Sequence, residues 1–265
     1  MNRLLDTPIT IWLTGASSGI GESLARELAM AGHKVIATGR SIPSLDTLAA
    51  RFPGQIIPAP GDVTDYAGLA SISATLQEHQ PIQLAVLNAG TCEYLDAQHF
   101  LSAAVESNVT TNLFGATRSV ETVLPFLRQA RHQGLPARLA FVSSSAWWFP
   151  FARAEGYGAS KAALSYFARS LRADLASEAI PVTVVSPGFV RTPLTDRNDF
   201  PMPFLIPPEE AARSIFIGLR KGHNEIQFPK RFTWMLKIVS ALPQALQDRL
   251  AASMARPQPS NKETQ

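Results

Sequence analysis

Short apolar runs rich in β-branched residues recur along the chain. Between them lie longer segments whose apolar residues return every three or four positions. The first pattern is that of a strand and the second that of an amphipathic helix. Ile9–Thr14, Lys34–Thr38, Gln55–Pro58, Leu84–Asn88, Arg138–Ser143, Val182–Ser186 and Glu225–Phe228 are the predicted strands. Several are apolar almost throughout, as expected where both faces of a sheet are covered. Helices are predicted to begin near Gly19, Ser44, Tyr66, Leu101, Tyr157 and Pro208. Strand and helix alternate without repeats or low-complexity tracts. The pattern therefore predicts an α/β fold, a doubly wound parallel sheet of about seven strands with helices on both faces.

Two regions break the rhythm. Residues 192–208 are dense in proline and phenylalanine and include Asp196 and Asp199, which predicts a long loop of the kind that serves as a substrate lid. In the C-terminal extension 231–265, Trp234, Met235, Leu236, Ile238 and Val239 form an apolar patch. A partner subunit, the pocket and a membrane surface are its candidate neighbours, in that order. Ala255–Gln265 is polar and contains proline, so it is expected to fray.

Composition narrows the function classes. The 265 residues are 46% hydrophobic and 17% charged, a balance suited to one large core, and residues 1–265 are read as a single domain. The net charge is +3 with basic residues scattered, which argues against a nucleic-acid interface. Cys92 is the only cysteine, so no intrachain disulfide forms; it reads as a small apolar residue in a reducing compartment. No secretory leader is apparent and no apolar run approaches the ~20 residues of a membrane span. A cytoplasmic location is expected. The five histidines make no metal-ligand spacing, and no metal is expected.

The first strand runs into Gly15-Ala16-Ser17-Ser18-Gly19-Ile20-Gly21 and then a helix. Gly15 permits a tight turn, Gly19 lets a diphosphate approach the backbone, and Gly21 lets the helix pack close to the sheet. The helix N-terminal amides then face the phosphates. Further on, Tyr157 and Lys161 share one helical face. A nearby ammonium favours the phenolate, so the phenol is expected to be lowered from its usual pKa of ~10 and to act as general acid or base.

The spacing Gly-x-x-x-Gly-x-Gly, followed by Tyr157-Gly158-Ala159-Ser160-Lys161, resembles the short-chain dehydrogenase/reductase family over about Ile9 to Thr192. The resemblance implies a Rossmann-type fold and hydride transfer between nicotinamide and a carbonyl or alcohol. It also implies the cofactor contacts Ser17, Ser18, Gly19 and Ile20. At the end of the second strand Gly39 stands where an acid would hold the ribose of NAD(H), and Arg40 follows. A guanidinium matches a 2′-phosphate, so NADP(H) is preferred over NAD(H), with Ser17 and Ser41 as further phosphate ligands. Asp62 would meet the adenine amino group, Val63 would pack on its ring, and in Asn88-Ala89-Gly90, which closes the fourth strand at the cofactor, Gly90 would leave room for the adenosine.

By the same resemblance Ser144 holds the substrate oxygen, with Ser143 and Ser145 as rivals. Asn112 supplies a carbonyl to a water leading to Lys161, with Asn108 as the competing choice. Pro187, Gly188, Val190 and Thr192 grip the nicotinamide carboxamide, and Tyr157 and Lys161 also contact the cofactor. A homodimer or homotetramer through the helices of Asn112 and Tyr157 is expected. The run Trp147-Trp148-Phe149-Pro150-Phe151, with Phe200, Met202, Phe204 and Leu205, suggests an apolar carbonyl substrate; core packing is the competing reading. Two further functions remain open, a dinucleotide-sensing regulator without turnover and an isomerase or epimerase on the same scaffold.

Overall fold

The computed structural model describes residues 4–254. Seven parallel strands form one sheet in the order β3-β2-β1-β4-β5-β6-β7. They are β1 (Thr10–Thr14), β2 (Lys34–Thr38), β3 (Ile56–Pro58), β4 (Ile82–Leu87), β5 (Arg138–Val142), β6 (Val182–Pro187) and β7 (Glu225–Phe228). All the predicted strands are present, with some ends displaced. β4 begins at Ile82 rather than Leu84, because Ile82 already pairs with Thr10. It ends at Leu87, which leaves Asn88 free for the turn beyond.

The first helices are α1 (Gly19–Met30), α2 (Ile42–Arg51), α3 (Tyr66–Glu78), α4 (Ser102–Val109) and α5 (Gly115–His132). They are followed by α6 (Glu155–Asp174), α7 (Pro208–Arg220), α8 (Lys230–Ser240) and α9 (Gln244–Ser253). Strand side chains alternate between two cores. Ile11 and Leu13 meet Leu24 and Leu28 of α1 and Ile215 of α7. Trp12 faces the other way, toward Ile72 of α3, Leu127 of α5 and Leu164 of α6. Each such buried side chain contributes roughly 2 kcal/mol relative to exposure. Strand order reverses between β1 and β4, so their carboxyl ends diverge and open a crevice.

Two helix starts differ from the expectation, and one predicted helix is interrupted. α2 begins at Ile42 rather than Ser44, because Ser41 caps it and Pro43 fits its first turn. α6 begins at Glu155, so Tyr157 already lies in the first turn. The helix predicted from Leu101 is interrupted. α4 ends at Val109, a wider π-type turn spans Thr110–Phe114, and α5 follows. Such turns re-aim the side chains they carry, and Asn112 is inside this one.

Between β6 and α7, the loop expected over residues 192–208 is irregular up to the start of α7 at Pro208, and it is pinned at its base by pairing of Val190 with Ile206. The C-terminal patch is helical. Phe232 and Leu236 of α8 pack on Phe149, so its inner half covers the aromatic segment after β5. The expected fraying of Ala255–Gln265 lies outside the described residues. No helix among the described residues is long and apolar enough to cross a membrane.

Candidate active site

The crevice beside β1 and β4 is a cleft of about 560 Å³. Every residue expected to touch the cofactor lines it except Gly21 and Ser41, and so does Ser144. Gly21 and Asn112 stand behind its wall. Gly15 has φ +68°, in the left-handed region, and a Cβ there would lie 2.8 Å from the Ala89 Cα. A Cβ on Gly21 would collide with the Gly15 carbonyl, so only glycine lets α1 start this close to the turn. Ser18 makes no side-chain cap to α1, which leaves the first-turn amides available to an anion. The cradle therefore fits a diphosphate.

Thr14 is a site residue that the sequence reading missed. Its Oγ1 accepts hydrogen bonds from the Asn88 and Ala89 amides at 2.9 and 3.0 Å. Asn88 Nδ2 in turn donates to the Thr14 and Gly15 carbonyls at 3.1 and 3.2 Å. The glycine turn is thus tied to the end of β4. A threonine ending a β-branched run signals only strand propensity, so nothing in the sequence marked it.

At the end of β2, a Cβ on Gly39 would come within 2.9 Å of the Ser17 side chain. Any acid at that position would meet Ser17, whereas Arg40 is exposed on the cleft rim. Ser41 directs its hydroxyl to Ser44 Oγ, 2.8 Å away, while capping α2. Asp62 Oδ1 accepts from the Thr64 amide and hydroxyl, both at 2.8 Å, which fixes the carboxylate in the cleft wall.

At the reacting end, the Tyr157 hydroxyl is hydrogen-bonded to Ser144. Lys161 Nζ donates to the Val142 carbonyl at 3.0 Å and lies 5.8 Å from the centre of the Tyr157 ring. Ser143 turns away, bonding Ser165 Oγ at 2.7 Å and the Lys161 carbonyl at 3.1 Å. Ser145 is buried. Of the three serines, Ser144 is the one that meets Tyr157.

The expected lowering of the Tyr157 phenol is corrected here. Burial pushes it above its usual value, and burial also brings Lys161 down to about 8. Desolvation wins because the ammonium directs its hydrogen bond to Val142 rather than to the phenol.

Asn112 acts through its side chain as a clamp. Its Oδ1 accepts from the Thr91 amide at 2.8 Å, and its Nδ2 donates to the Thr91 carbonyl at 3.0 Å and to Ser160 Oγ at 2.9 Å. The loop after β4 is thereby joined to α6. Asn108 does the same for Glu93, accepting from its amide at 3.2 Å and donating to its carbonyl at 2.9 Å. Asn112→Ala strands both Thr91 groups and is expected to cost about 2–3 kcal/mol. A fall in Tm of about 5–10 °C in thermal denaturation checks this.

Beyond Tyr157 the aromatic residues divide between two roles. Phe149 is core, buried against Phe232 and Leu236. Trp147 donates to Ser186 Oγ at 3.2 Å and packs on Trp148 with ring centres 5.4 Å apart. Loop residue Phe200 sits edge-on to Tyr94 at 5.6 Å, and Arg153 pairs with Asp199 at 2.7 Å, fastening the loop to the opposite wall. Burial pushes the neighbouring Cys92 thiol up to about 11, consistent with an inert small residue. Tyr94 gave no sequence signal, since it follows the last recognisable motif of β4.

Residues 9–200 match the family described as short chain dehydrogenase. An uncharacterized oxidoreductase of Myxococcus xanthus is 37% identical over 246 residues, covering 91% of this chain and 96% of that one. An NADP-dependent 3-hydroxy acid dehydrogenase of Salmonella typhi is 34% identical over 182 residues, covering 68% of this chain and 72% of that one. In three dimensions, a short chain dehydrogenase of Burkholderia cenocepacia in complex with NADP superposes with a TM-score of 0.79 at 22% identity, over 96% of this chain and 99% of that one. That likeness concerns the fold. Because the match runs from the first strand through the loop after β6, the chain belongs to the short-chain dehydrogenase family of oxidoreductases.

Proposed function

We propose that this protein interconverts a carbonyl and an alcohol with NADP(H), using Tyr157 as general acid and base. The observation that carries the reading is the meeting of Tyr157, Ser144 and Lys161 at one end of a glycine-lined cleft. The turn from Gly15 to Ile20 would hold the diphosphate, Arg40 the 2′-phosphate, Asp62 and Val63 the adenine, and Pro187, Gly188, Val190 and Thr192 the nicotinamide end. NADP(H) is supported by Arg40, by the space that Ser17 denies to an acid at position 39, and by the NADP-dependent Salmonella relative. When bound, the cofactor supplies or accepts the hydride at the substrate carbon.

The chain's own residues move the proton. Ser144 holds the substrate oxygen, and Tyr157 delivers its phenolic proton to that oxygen during reduction. The buried Lys161 ammonium then faces the phenolate. Alcohol oxidation runs these steps in reverse, with the phenolate as base. The aromatic pairs Trp147–Trp148 and Phe189–Phe200, on the segments that follow Ser144 and Gly188, support an apolar carbonyl substrate.

Mixing the protein with NADPH and a panel of ketones and aldehydes tests the reading. Net NADPH oxidation, best with hydrophobic substrates, is expected. Binding without turnover would indicate a sensor, and product without net oxidation an isomerase. Turnover confined to small polar carbonyls would remove the apolar substrate class.

A further inference from the structure

The last two helices carry an outward face that no described residue covers. α8 is apolar on two sides. Phe232 and Leu236 turn inward, while Trp234, Met235 and Ile238 turn outward about one helical turn apart, with Trp234 58% and Ile238 65% exposed. α9 exposes Leu246 and Leu250, with Met254 a further four residues on at its C-terminal cap, and none of the helix's residues is buried. A helix of ten residues is marginal in water unless it packs; Ala251 packs on the cluster of Phe149, Phe232 and Leu236, while the opposite side of α9 stays exposed.

Charge selects the occupant. Between residues 230 and 254, Lys230, Arg231, Lys237 and Arg249 are opposed by one acid, Asp248. A second copy docked about a two-fold axis would bring these cations together. An anionic surface would instead complement them, each cation adding roughly fivefold to partitioning near an anionic leaflet.

We propose that the outward face of α8 and α9 docks on an anionic lipid surface. Tryptophan and aliphatic side chains enter the headgroup boundary while lysine and arginine stay at the phosphates. Lys237 Nζ lies 4.8 Å from the Trp148 ring centre and 5.7 Å from that of Trp234. Trp148 packs on Trp147, three residues beyond Ser144. An aromatic path therefore leads from the docking face to the reacting end. Loop residue Phe204, 48% exposed, lies 6.2 Å from Phe232 between ring centres. The docked face thus adjoins the substrate end, and the class it fits is a carbonyl or alcohol that partitions into lipid. That substrate class rests on the catalytic reading above, whereas the docking does not.

Flotation of the whole protein with vesicles tests the proposal, using phosphatidylcholine alone and phosphatidylcholine mixed with phosphatidylglycerol. Binding to the anionic vesicles is expected to exceed binding to neutral ones by at least about tenfold and to weaken as salt is raised. The double variant Trp234→Ser/Ile238→Ser is expected to lose about tenfold or more of that binding at unchanged Tm, since both side chains are exposed. No flotation with anionic vesicles, or equal flotation of the variant, overturns the proposal. A wild-type dimer that the variant dissolves, without vesicle binding, assigns the face to a second copy. Turnover of a water-soluble ketone, assayed in parallel, reads the chemistry separately: binding without turnover sinks the catalytic reading and leaves the docking intact.

Discussion

Tyr157→Phe is expected to lower kcat about a thousandfold while NADPH binds within about threefold of wild type. The substitution keeps the ring, so the packing of α6 against the end of β5 is preserved. It removes only the hydroxyl that bonds Ser144. Lys161 retains its bond to Val142 and does not become an orphaned cation. A positioned proton donor accounts for about a hundredfold to ten-thousandfold of rate, which sets the size of the loss.

The pH dependence has a definite sign. Burial holds the phenol above its usual value, so carbonyl reduction keeps its proton donor across the neutral range. Reduction is expected to decline above about 8, where Lys161 loses the charge that faces the phenolate. Alcohol oxidation needs the phenolate and is expected to rise with pH. Steady-state rates in both directions, with titration of NADPH fluorescence, check the whole set. A variant retaining a tenth of wild-type kcat would move the acid–base role to another residue.

Arg40→Asp is expected to lower kcat/KM for NADPH about a hundredfold and to leave NADH within about threefold. A charge-assisted contact to phosphate contributes roughly 1.5–3 kcal/mol, and the new carboxylate adds repulsion of the 2′-phosphate. Arg40→Ala, which removes attraction without adding repulsion, is expected to fall between, at about tenfold. Placing the acid at position 39 is a poorer test. A Cβ there already crowds Ser17, so Gly39→Asp needs Ser17→Ala beside it. Comparison of kcat/KM for the two cofactors separates the outcomes, and an unchanged NADPH preference in Arg40→Asp would place the phosphate contact elsewhere.

The sheet was legible because its strands are covered on both faces and so stand out as apolar runs. The glycine turn was legible because its backbone conformation and close approach admit only one residue type, and Tyr157 with Lys161 because helical spacing fixes a shared face. What escaped the sequence depends on where side chains go in space. The π-type turn at Thr110–Phe114 hardly disturbs the apolar periodicity, so α4 and α5 read as one helix. Which serine meets Tyr157 is decided by Ser143 rotating toward Ser165. The direction of the Tyr157 shift depends on desolvation, which spacing does not encode. Thr14 and Tyr94 look like ordinary strand and loop residues until β1 meets β4 and Phe200 meets its partner ring. α8 and α9 lie beyond the family motifs, and their double-sided apolar pattern reads as a patch rather than as helices.

A crystal structure with NADP(H) bound tests the central claim most directly. The pyridine ring beside Tyr157 and Lys161, with the 2′-phosphate on Arg40, is the expected result. A pyridine ring lodged away from Tyr157 would contradict it.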